Sequence, residues 1–289
     1  MTNGIFIIDK PQGMTSHDVV SRMRRLLDQK RVGHGGTLDP MATGVLPVFA
    51  GRSTHATGYV QEGGKRYAAR LRLGVTTETQ DTTGQVLSQR PVTVGREEIL
   101  ALLPRFTGEI RQIPPMYSAI SVGGVRLYKL ARQGQEVERP ARLVTVDALT
   151  LGEQTAENEY ELFIDCSKGL YVRTLIADLG EALGCGAAMS ALRRLRAGPF
   201  AIENAITLEE AAALSEAGRL DEAALCADML FEELPPLCLD EAGEEVIRHG
   251  AWFPCALPDG PCRLYGADGS FLGVGEAEAG RARIRKSFY

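Results

Sequence analysis

Apolar residues recur along the chain at two spacings, one typical of strands and the other of helices. The first apolar run, Ile5 to Ile8, predicts a short strand over Ile5 to Asp9. The strand ends in a turn at Lys10 to Gly13. Thr15 and Asp18 have the spacing of a capping box, and apolar residues at helical spacing continue to about Asp28. A helix is therefore expected directly after the first strand.

The segment from Lys65 to Leu73 alternates between apolar and basic residues. Tyr67, Ala69, Leu71 and Leu73 fall on one face, and Arg66, Arg70 and Arg72 fall mostly on the other. A period of two residues predicts a strand. Its outer face is expected to be basic.

Strand and helix patterns continue through the middle of the chain. Helices are predicted from Glu97 to Phe106, Val125 to Arg132 and Arg173 to Leu183, and strands from Tyr117 to Val122, Arg142 to Leu151 and Tyr160 to Cys166. Some of these strands follow one another without a helix between them. This order favours a mixed, mainly antiparallel sheet flanked by helices, which is an α+β fold.

The composition changes near Pro235-Pro236. The region from Leu208 to Leu230 before this point is expected to be helical and acidic. Short strand-like pieces follow it, at Cys262 to Tyr265 and Phe271 to Gly273, around the turn signal Asp268-Gly269. We therefore predict a main domain over residues 1–234 and a small β appendage over residues 235–289.

Composition narrows the class of protein further. A chain of 289 residues with 44% hydrophobic residues can bury a large core. The apolar run Ile5 to Ile8 is too short for a signal-peptide core or a membrane span, so a cytoplasmic protein is expected. The six cysteines include no C-x-x-C pair, and the nearest two, Cys255 and Cys262, have no nearby histidine, so reduced thiols and no metal site are expected.

The charge is distributed unevenly along the chain. The formal net charge is −5, but residues 1–200 hold 25 basic and 20 acidic side chains, whereas residues 201–289 hold 7 and 17. The excess acid is concentrated between Glu203 and Glu245. Such asymmetry permits RNA binding by the first two-thirds of the chain, although acidic segments are also common as solvated surface.

The glycine-rich segment Gly33 to Pro40 contains the first candidate for chemistry. Three glycines and a proline in eight residues predict a loop, and Asp39 lies in it five residues after His34. A carboxylate on such a loop is accessible to a large substrate. The alternatives are an Asx-turn ahead of Pro40 and a phosphate cradle, although neither common glycine-rich nucleotide motif is present.

Two other segments carry basic residues suited to nucleic acid. The junction Ser167 to Arg173 lies between a predicted strand and a predicted helix, where an anion can be bound, or it is a structural turn. Ala191 to Arg196 contains three arginines, which suit phosphate recognition or form a solvated face.

These segments together carry a family resemblance. The run Gly33 to Leu46 is similar to the catalytic motif of the bacterial tRNA pseudouridine synthase B family, also called TruB. Further matching segments follow the family's order: Asp9 to Ser16, Lys65 to Tyr67, Gln80 to Gly84, Pro114 to Ala119, Cys166 to Gly169 with Tyr171 and Arg173, and Leu192 to Arg194. The resemblance covers residues 4–200, and the tail from about Pro236 is similar to the family's PUA-like RNA-binding module.

The resemblance implies an activity and a set of site residues. Asp39 would be the nucleophile that converts uridine 55 in the T-loop of tRNA into pseudouridine, with Arg173 as its ion-pair partner and Tyr67 packed on the uracil. His34, Tyr171 and Leu192 would line the pocket of the flipped-out base, with His34 filling the vacated stack. The reaction needs no redox cofactor, and attack at C6 or at C1′ of the nucleotide remains open.

The resemblance also implies a set of RNA contacts. Phosphate contacts are expected at Lys10, Arg66, Arg70, Arg72, Arg193 and Arg194, and Lys168 is expected to bind substrate. In the tail, a local basic cluster comprises Arg281, Arg283, Arg285 and Lys286. The expected partner is tRNA, bound by a monomer without a guide RNA or a membrane.

Two other functions remain open on the sequence. A tRNA-folding chaperone would bind and remodel tRNA without chemistry. A guide-dependent synthase of the related archaeal and eukaryotic branch would need partner proteins and a guide RNA. The continuous set of bacterial motifs and the short tail favour the stand-alone enzyme.

Overall fold

The computed structural model describes residues 2–118 and 120–289. Its helices are α1 Ser16–Leu26, α2 Thr57–Glu62, α3 Arg96–Leu102, α4 Leu127–Ala131, α5 Val172–Ala182, α6 Leu208–Glu216 and α7 Glu241–Arg248. Its strands are β1 Gly4–Lys10, β2 Val32–His34, β3 Thr43–Ala50, β4 Lys65–Leu73, β5 Val75–Thr77, β6 Val86–Gln89, β7 Gly108–Gln112, β8 Ser121–Val122, β9 Val125–Arg126, β10 Arg142–Ala156, β11 Glu159–Cys166, β12 Ala187–Ala197, β13 Phe200–Ala201, β14 Pro236–Cys238, β15 Phe253–Pro254, β16 Gly260–Tyr265, β17 Phe271–Glu278 and β18 Arg281–Ser287. Short 3-10 segments lie at Gly51–Ala56, Leu103–Phe106, Ile202–Asn204, Leu220–Ala223 and Ala227–Phe231. Within the described ranges, no helix has the length and apolar character needed to cross a bilayer.

Contacts divide the chain into two units. The first comprises Met1–Asp39, Val45–Gln61 and Glu203–Tyr289, and the second comprises Pro40–Gly44 and Glu62–Ile202. The division falls inside the motif that carries Asp39. The segment directly after this residue therefore takes its contacts from the second unit.

The core of the first unit forms where α1 covers neighbouring strands. Val19, Val20 and Met23 on one side of α1 pack with Phe6 of β1 and Leu46 of β3, and all five are buried. The helix begins as predicted, because Thr15 and Asp18 cap each other's backbone amides in a capping box. Burial of apolar area on this scale is the main contribution to the unit's stability.

The last part of the first unit contains a separate sheet with the order β14-β16-β17-β18-β15. The predicted hairpin at Asp268-Gly269 is confirmed as the antiparallel pair β16–β17. Gly269 has a φ of +80°, which glycine adopts without steric cost. The helix predicted from Leu208 to Leu230 is only partly present, since α6 ends at Glu216 and 3-10 turns follow it.

The second unit is built on the strand order β12-β4-β11-β10-β7. These neighbours all pair antiparallel. The first two residues of β3, Thr43 and Gly44, pair parallel with β12, and helix α5 packs against β12 and β4. The predicted mixed, mainly antiparallel sheet with flanking helices, and with it the α+β class, is confirmed.

The structure adds to the sequence prediction at two middle segments. The strand predicted from Tyr117 to Val122 includes Ala119, which lies outside the described residues, and the described part forms only β8, paired with β9. The arginine-rich run Ala191 to Arg196, interpreted from sequence as a basic segment, is part of the long strand β12. Strand pairing on both sides of this run decides its conformation.

Candidate active site

Asp39 lies at the end of a loop that is held by its neighbours in the first unit. Gly35 donates from its backbone amide to Pro47 O at 2.9 Å. The Ser16 hydroxyl accepts from the Leu38 amide at 2.9 Å and donates to the Leu38 carbonyl at 3.2 Å. The residue before Asp39 is therefore fixed to the first turn of α1, and Asp39 itself is half-buried.

The glycine-rich segment is not a loop throughout. Val32 to His34 forms β2, in which His34 lies opposite Val48 of β3. The prediction of a loop from Gly33 is therefore wrong for its first two residues, because pairing with β3 extends the backbone there. His34 is half-buried.

In the second unit, Tyr67 and Leu192 share one face of two neighbouring strands. Tyr67 lies opposite Arg194, and Leu192 lies opposite Ala69. Residues directly opposite one another project from the same face of a sheet, as do alternate residues of one strand. Tyr67 is 7% exposed and Leu192 is 8% exposed, so both side chains are almost enclosed, and the buried Arg194 projects from the same face.

Arg173 lies in the first turn of α5 and is oriented by three groups of its own unit. Its Nη1 donates to Thr79 O at 3.0 Å, and its Nη2 donates to Tyr117 O at 2.8 Å. Nη1 also lies 3.5 Å from Asp81 Oδ2 in an ion pair. Arginine has several N–H donors in one plane, so it can bind several partners at once. The partners together restrict rotation of the guanidinium.

Asp81 is a residue that the sequence pattern marked only as part of a matched segment. Its Oδ1 accepts from Thr79 Oγ1 at 2.8 Å and from the Thr83 amide at 3.0 Å. Helix α5 is joined to the same turn, because Thr174 Oγ1 donates to Gln80 Oε1 at 2.7 Å. The signal that could have found Asp81 in the sequence is the turn from Asp81 to Gly84. The ion pair between Asp81 and Arg173 forms only when the chain folds.

The backbone of Tyr171 is held in place ahead of α5. Gln112 accepts from the Tyr171 amide at 2.7 Å and donates from its side-chain amide to the Tyr171 carbonyl at 3.1 Å. Gln112 is only 2% exposed, so this reciprocal pair is protected from water. Tyr171 is half-buried.

The predicted phosphate contacts at Lys10 and Arg194 do not agree with their positions. Lys10 is fully buried, and its Nζ donates to the carbonyls of Pro11 at 2.9 Å and Met14 at 2.6 Å. Arg194 is 1% exposed. A phosphate contact requires an accessible cation. Lys10 and Arg194 are interior residues, so the predicted phosphate contacts do not fit them.

The predicted basic outer face of β4 is confirmed, and carboxylates of the neighbouring strand β11 lie close to it. Arg66, Arg70 and Arg72 are exposed and alternate with Tyr67, which places them on the opposite face of the strand from it. Two carboxylates of β11 form ion pairs with these arginines: Asp165 lies 3.7 Å from Arg66, and Glu159 lies 3.7 Å from Arg70.

Two of the other predicted RNA contacts remain accessible. Lys168 is exposed and forms an ion pair with Glu62. Arg193 is half-buried and donates to Thr43 Oγ1 at 3.3 Å.

In the tail, the basic cluster contacts aromatic and acidic side chains. Arg283 lies 4.5 Å and Arg281 lies 5.7 Å from the ring centre of Trp252, and Lys286 lies 5.0 Å from that of Tyr59. Arg285 lies 4.0 Å from Glu276 in an ion pair.

One groove lies away from the predicted site residues. A groove of about 590 Å³ in the second unit is lined by apolar side chains of α3, of the 3-10 segment that follows it and of β10, such as Leu100, Leu103 and Leu151. None of the predicted site residues lines it. Over the described ranges, His, Cys, Asp and Glu side chains form no group of three or more that could hold a metal ion. Burial raises the pKa of the Cys262 thiol to about 11, which disfavours the thiolate form that binds metals.

The fold is that of the pseudouridine synthases. It is similar to the crystal structure of a Cbf5-Nop10-Gar1 complex, with 27% sequence identity and a TM-score of 0.74 over 100% of this chain and 85% of that chain. It is also similar to an H/ACA RNP bound to a substrate RNA containing 2′-deoxyuridine, with 25% identity and a TM-score of 0.73 over 99% of this chain and 85% of that chain.

The sequence comparisons define the family. Residues 24–172 match the N-terminal domain of the TruB family pseudouridylate synthases, and residues 173–233 match the tRNA pseudouridylate synthase B C-terminal domain. The chain is 45% identical to the tRNA pseudouridine synthase B of Ectopseudomonas mendocina (strain ymp), over 99% of this chain and 95% of the relative. It is 43% identical to the protein of that name from Pseudomonas aeruginosa (strain UCBPP-PA14), over 98% of this chain and 95% of the relative. The chain belongs to the TruB family of pseudouridylate synthases.

Proposed function

We propose that this protein converts uridine 55 in the T-loop of transfer RNA into pseudouridine, with Asp39 as the nucleophile. The observation that carries the proposal is the 45% identity, over 99% of the chain, to a tRNA pseudouridine synthase B. The half-buried carboxylate of Asp39, at the end of a loop attached to α1, supports its role. A nucleophile must be both reachable and fixed.

The reaction is an isomerisation, so its atoms balance without an oxidant or reductant. The bond between C1′ of the ribose and N1 of uracil breaks, the ring turns, and a bond forms between C1′ and C5. The hydrogen on C5 leaves as a proton, and N1 gains one. The net change in bonds and protons is the same whether Asp39 attacks C6 or C1′.

Tyr67 and Leu192 would hold the uracil while it is detached from the sugar. Their shared, nearly buried face supports this role, since a ring can stack on tyrosine and pack on leucine there. The Tyr67 hydroxyl is the candidate group for transfer of the C5 proton. His34 would replace the flipped base in its stack, and Tyr171 would complete the pocket.

Arg173 would favour the ionised form of Asp39 and orient it. The fixed guanidinium, with hydrogen bonds to two backbone carbonyls and an ion pair to Asp81, supports a role that depends on orientation. A preoriented cation loses little freedom when the charge on its partner changes during the reaction.

Binding of tRNA would involve exposed basic residues and the tail. Lys168 is proposed as a phosphate contact, because it is exposed beside the start of α5. Residues 235–289 are proposed as an RNA-binding appendage to the catalytic domain 1–234. We propose that the protein acts as a monomer and without a guide RNA.

The test is incubation of the purified protein alone with an unmodified tRNA transcript, followed by chemical mapping of pseudouridine. Release of tritium from C5-labelled uridine gives the rate. We expect modification confined to the T-loop uridine, and none with Asp39→Asn, which should still fold and bind tRNA. Asp28→Asn is the matched control, because Asp28 is exposed at the end of α1 and loses the same charge.

The same experiment separates the two alternative functions. A tRNA-folding chaperone would give no pseudouridine and would remodel tRNA equally well with Asp39→Asn. A guide-dependent synthase, which the likeness to an H/ACA RNP brings into consideration, would modify RNA only after addition of a guide RNA and partner proteins. Either result would overturn the proposed function.

A further inference from the structure

Gly44 and Tyr67 lie opposite the same residue, on either side of β12. Arg194 pairs with Gly44 of β3 along one edge and with Tyr67 of β4 along the other. Neighbouring strands lie about 4.8 Å apart, so the backbones at Gly44 and Tyr67 are separated by roughly 10 Å. All three residues belong to the second unit.

The approach of β3 to β12 at this point leaves no room for a side chain. A Cβ added to Gly44 would lie 2.2 Å from the Arg194 carbonyl oxygen and 2.8 Å from its amide nitrogen. Both are backbone atoms of a paired strand, so no rotamer change could relieve the overlap. Gly44 also has a φ of +99°, which residues with a side chain rarely adopt.

The crowding at Gly44 involves backbone atoms, as it also does at Gly180 and Gly273, and it differs from the crowding at glycines that meet mainly side chains. A Cβ added to Gly84 would meet mainly the side chain of Thr79, and one added to Gly35 would meet the ring of Phe49. Overlaps of this kind are relieved by displacement of a side chain. At Gly44 the strand itself would have to shift.

Side-chain contacts strengthen the same junction. Arg193 Nη1 donates to Thr43 Oγ1 at 3.3 Å, beside the backbone pairing. Arg194 is 1% exposed, so packing also holds this part of β12. Thr43 and Gly44 are therefore joined to a rigid strand.

We propose that Gly44 is a positioning residue for the reaction. Its missing Cβ lets the chain dock on β12 in register with Tyr67, and this anchors the segment Pro40–Gly44, which follows Asp39 in the chain. Five residues span at most about 18 Å, so an anchor at Gly44 limits where Asp39 can lie. This inference rests on the proposed function, because it assigns Gly44 a role only if Asp39 and Tyr67 act on one nucleotide.

The test compares Gly44→Ala with Gly108→Ala in the full-length protein. Gly108 has a φ of +90°, but no atom lies within 4 Å of a Cβ added there. The control therefore carries a similar backbone strain without the collision. Both variants are assayed by single-turnover tritium release at saturating tRNA, at a temperature where circular dichroism shows them folded, and tRNA affinity is measured by filter binding.

We expect Gly44→Ala to lower the single-turnover rate at least 100-fold while tRNA affinity changes less than threefold. Hydrogen–deuterium exchange should rise in peptides that cover residues 36–44, and Gly108→Ala should keep a rate within threefold of the parent protein. A Gly44→Ala rate within threefold, or a slow rate with unchanged exchange over residues 36–44, overturns the inference. An inactive parent protein would instead contradict the proposed function.

Discussion

Arg173 and Asp81 form an ion pair in the interior of the second unit. Arg173 Nη1 lies 3.5 Å from Asp81 Oδ2, and the two side chains are 7% and 6% exposed. Two further hydrogen bonds from Arg173 reach the carbonyls of Thr79 and Tyr117. The residue proposed to support Asp39 is thus itself held by a carboxylate that the sequence pattern did not single out.

Asp81→Asn is expected to destabilise the protein and to reduce catalysis more than binding. Loss of one partner of a buried ion pair reduces the compensation of the charge that remains, which costs up to about 3–5 kcal/mol in the free energy of unfolding. Urea unfolding measures that cost, and single-turnover tritium release measures the effect on the reaction. Asp165→Asn is the control, because its pairs with Arg66 and Arg196 are partly exposed and are expected to contribute less than about 1 kcal/mol. Equal losses in both variants would contradict the prediction.

Glu62→Gln is expected to strengthen tRNA binding. Glu62 pairs with the exposed side chain of Lys168, and an RNA phosphate would have to compete with this carboxylate. Without it, Lys168 can contact phosphate directly, and the slope of log affinity against log salt should become steeper by about 0.7–0.9. Filter binding from 50 to 300 mM salt is the measurement. Glu222→Gln, which breaks the exposed pair with Arg219, should leave the slope unchanged.

Lys10→Met is expected to alter stability and not the salt dependence of tRNA binding. Lys10 is fully buried and donates to two backbone carbonyls. Loss of charged hydrogen bonds of this kind costs about 1–3 kcal/mol in the free energy of unfolding. Lys168→Met, made in a protein that already carries Glu62→Gln, should behave in the opposite way, with a shallower salt slope and little change in stability. A shallower slope for Lys10→Met would restore its predicted phosphate contact.

The capping box of α1 predicts a pH dependence of stability. Hydrogen bonds from the Thr15 side chain and backbone hold the pKa of Asp18 below its usual value. A lowered folded-state pKa stabilises the protein above the unfolded pKa of about 3.9, and this stabilisation is lost as pH falls through the folded pKa. Asp18→Asn should therefore lower Tm at pH 7, and its difference from the parent protein should narrow below about pH 4. A difference of constant size down to pH 2 would show that the carboxylate charge is not the cause.

The sequence by itself determined those elements whose signals are local. The alternation from Lys65 to Leu73 predicted β4 with its bounds and its faces, and the spacing of Thr15 and Asp18 predicted the start of α1. Periodicity and capping involve neighbours within a few residues, so the sequence records them directly. The similarity of the Gly33 to Leu46 run to the TruB motif likewise indicated the family, because that motif is a continuous stretch of the chain.

Only the tertiary structure decided which polar residues become buried and which residues meet. Lys10 and Arg194 look like surface cations in the sequence, yet packing encloses both. Asp81 acquires its partner at Arg173 across 92 positions of sequence, and Gly44 acquires its role from the backbone of a strand 150 residues away. Such contacts depend on how distant strands pair and on the close packing that follows, and a local pattern of hydrophobic and polar residues carries no information about either.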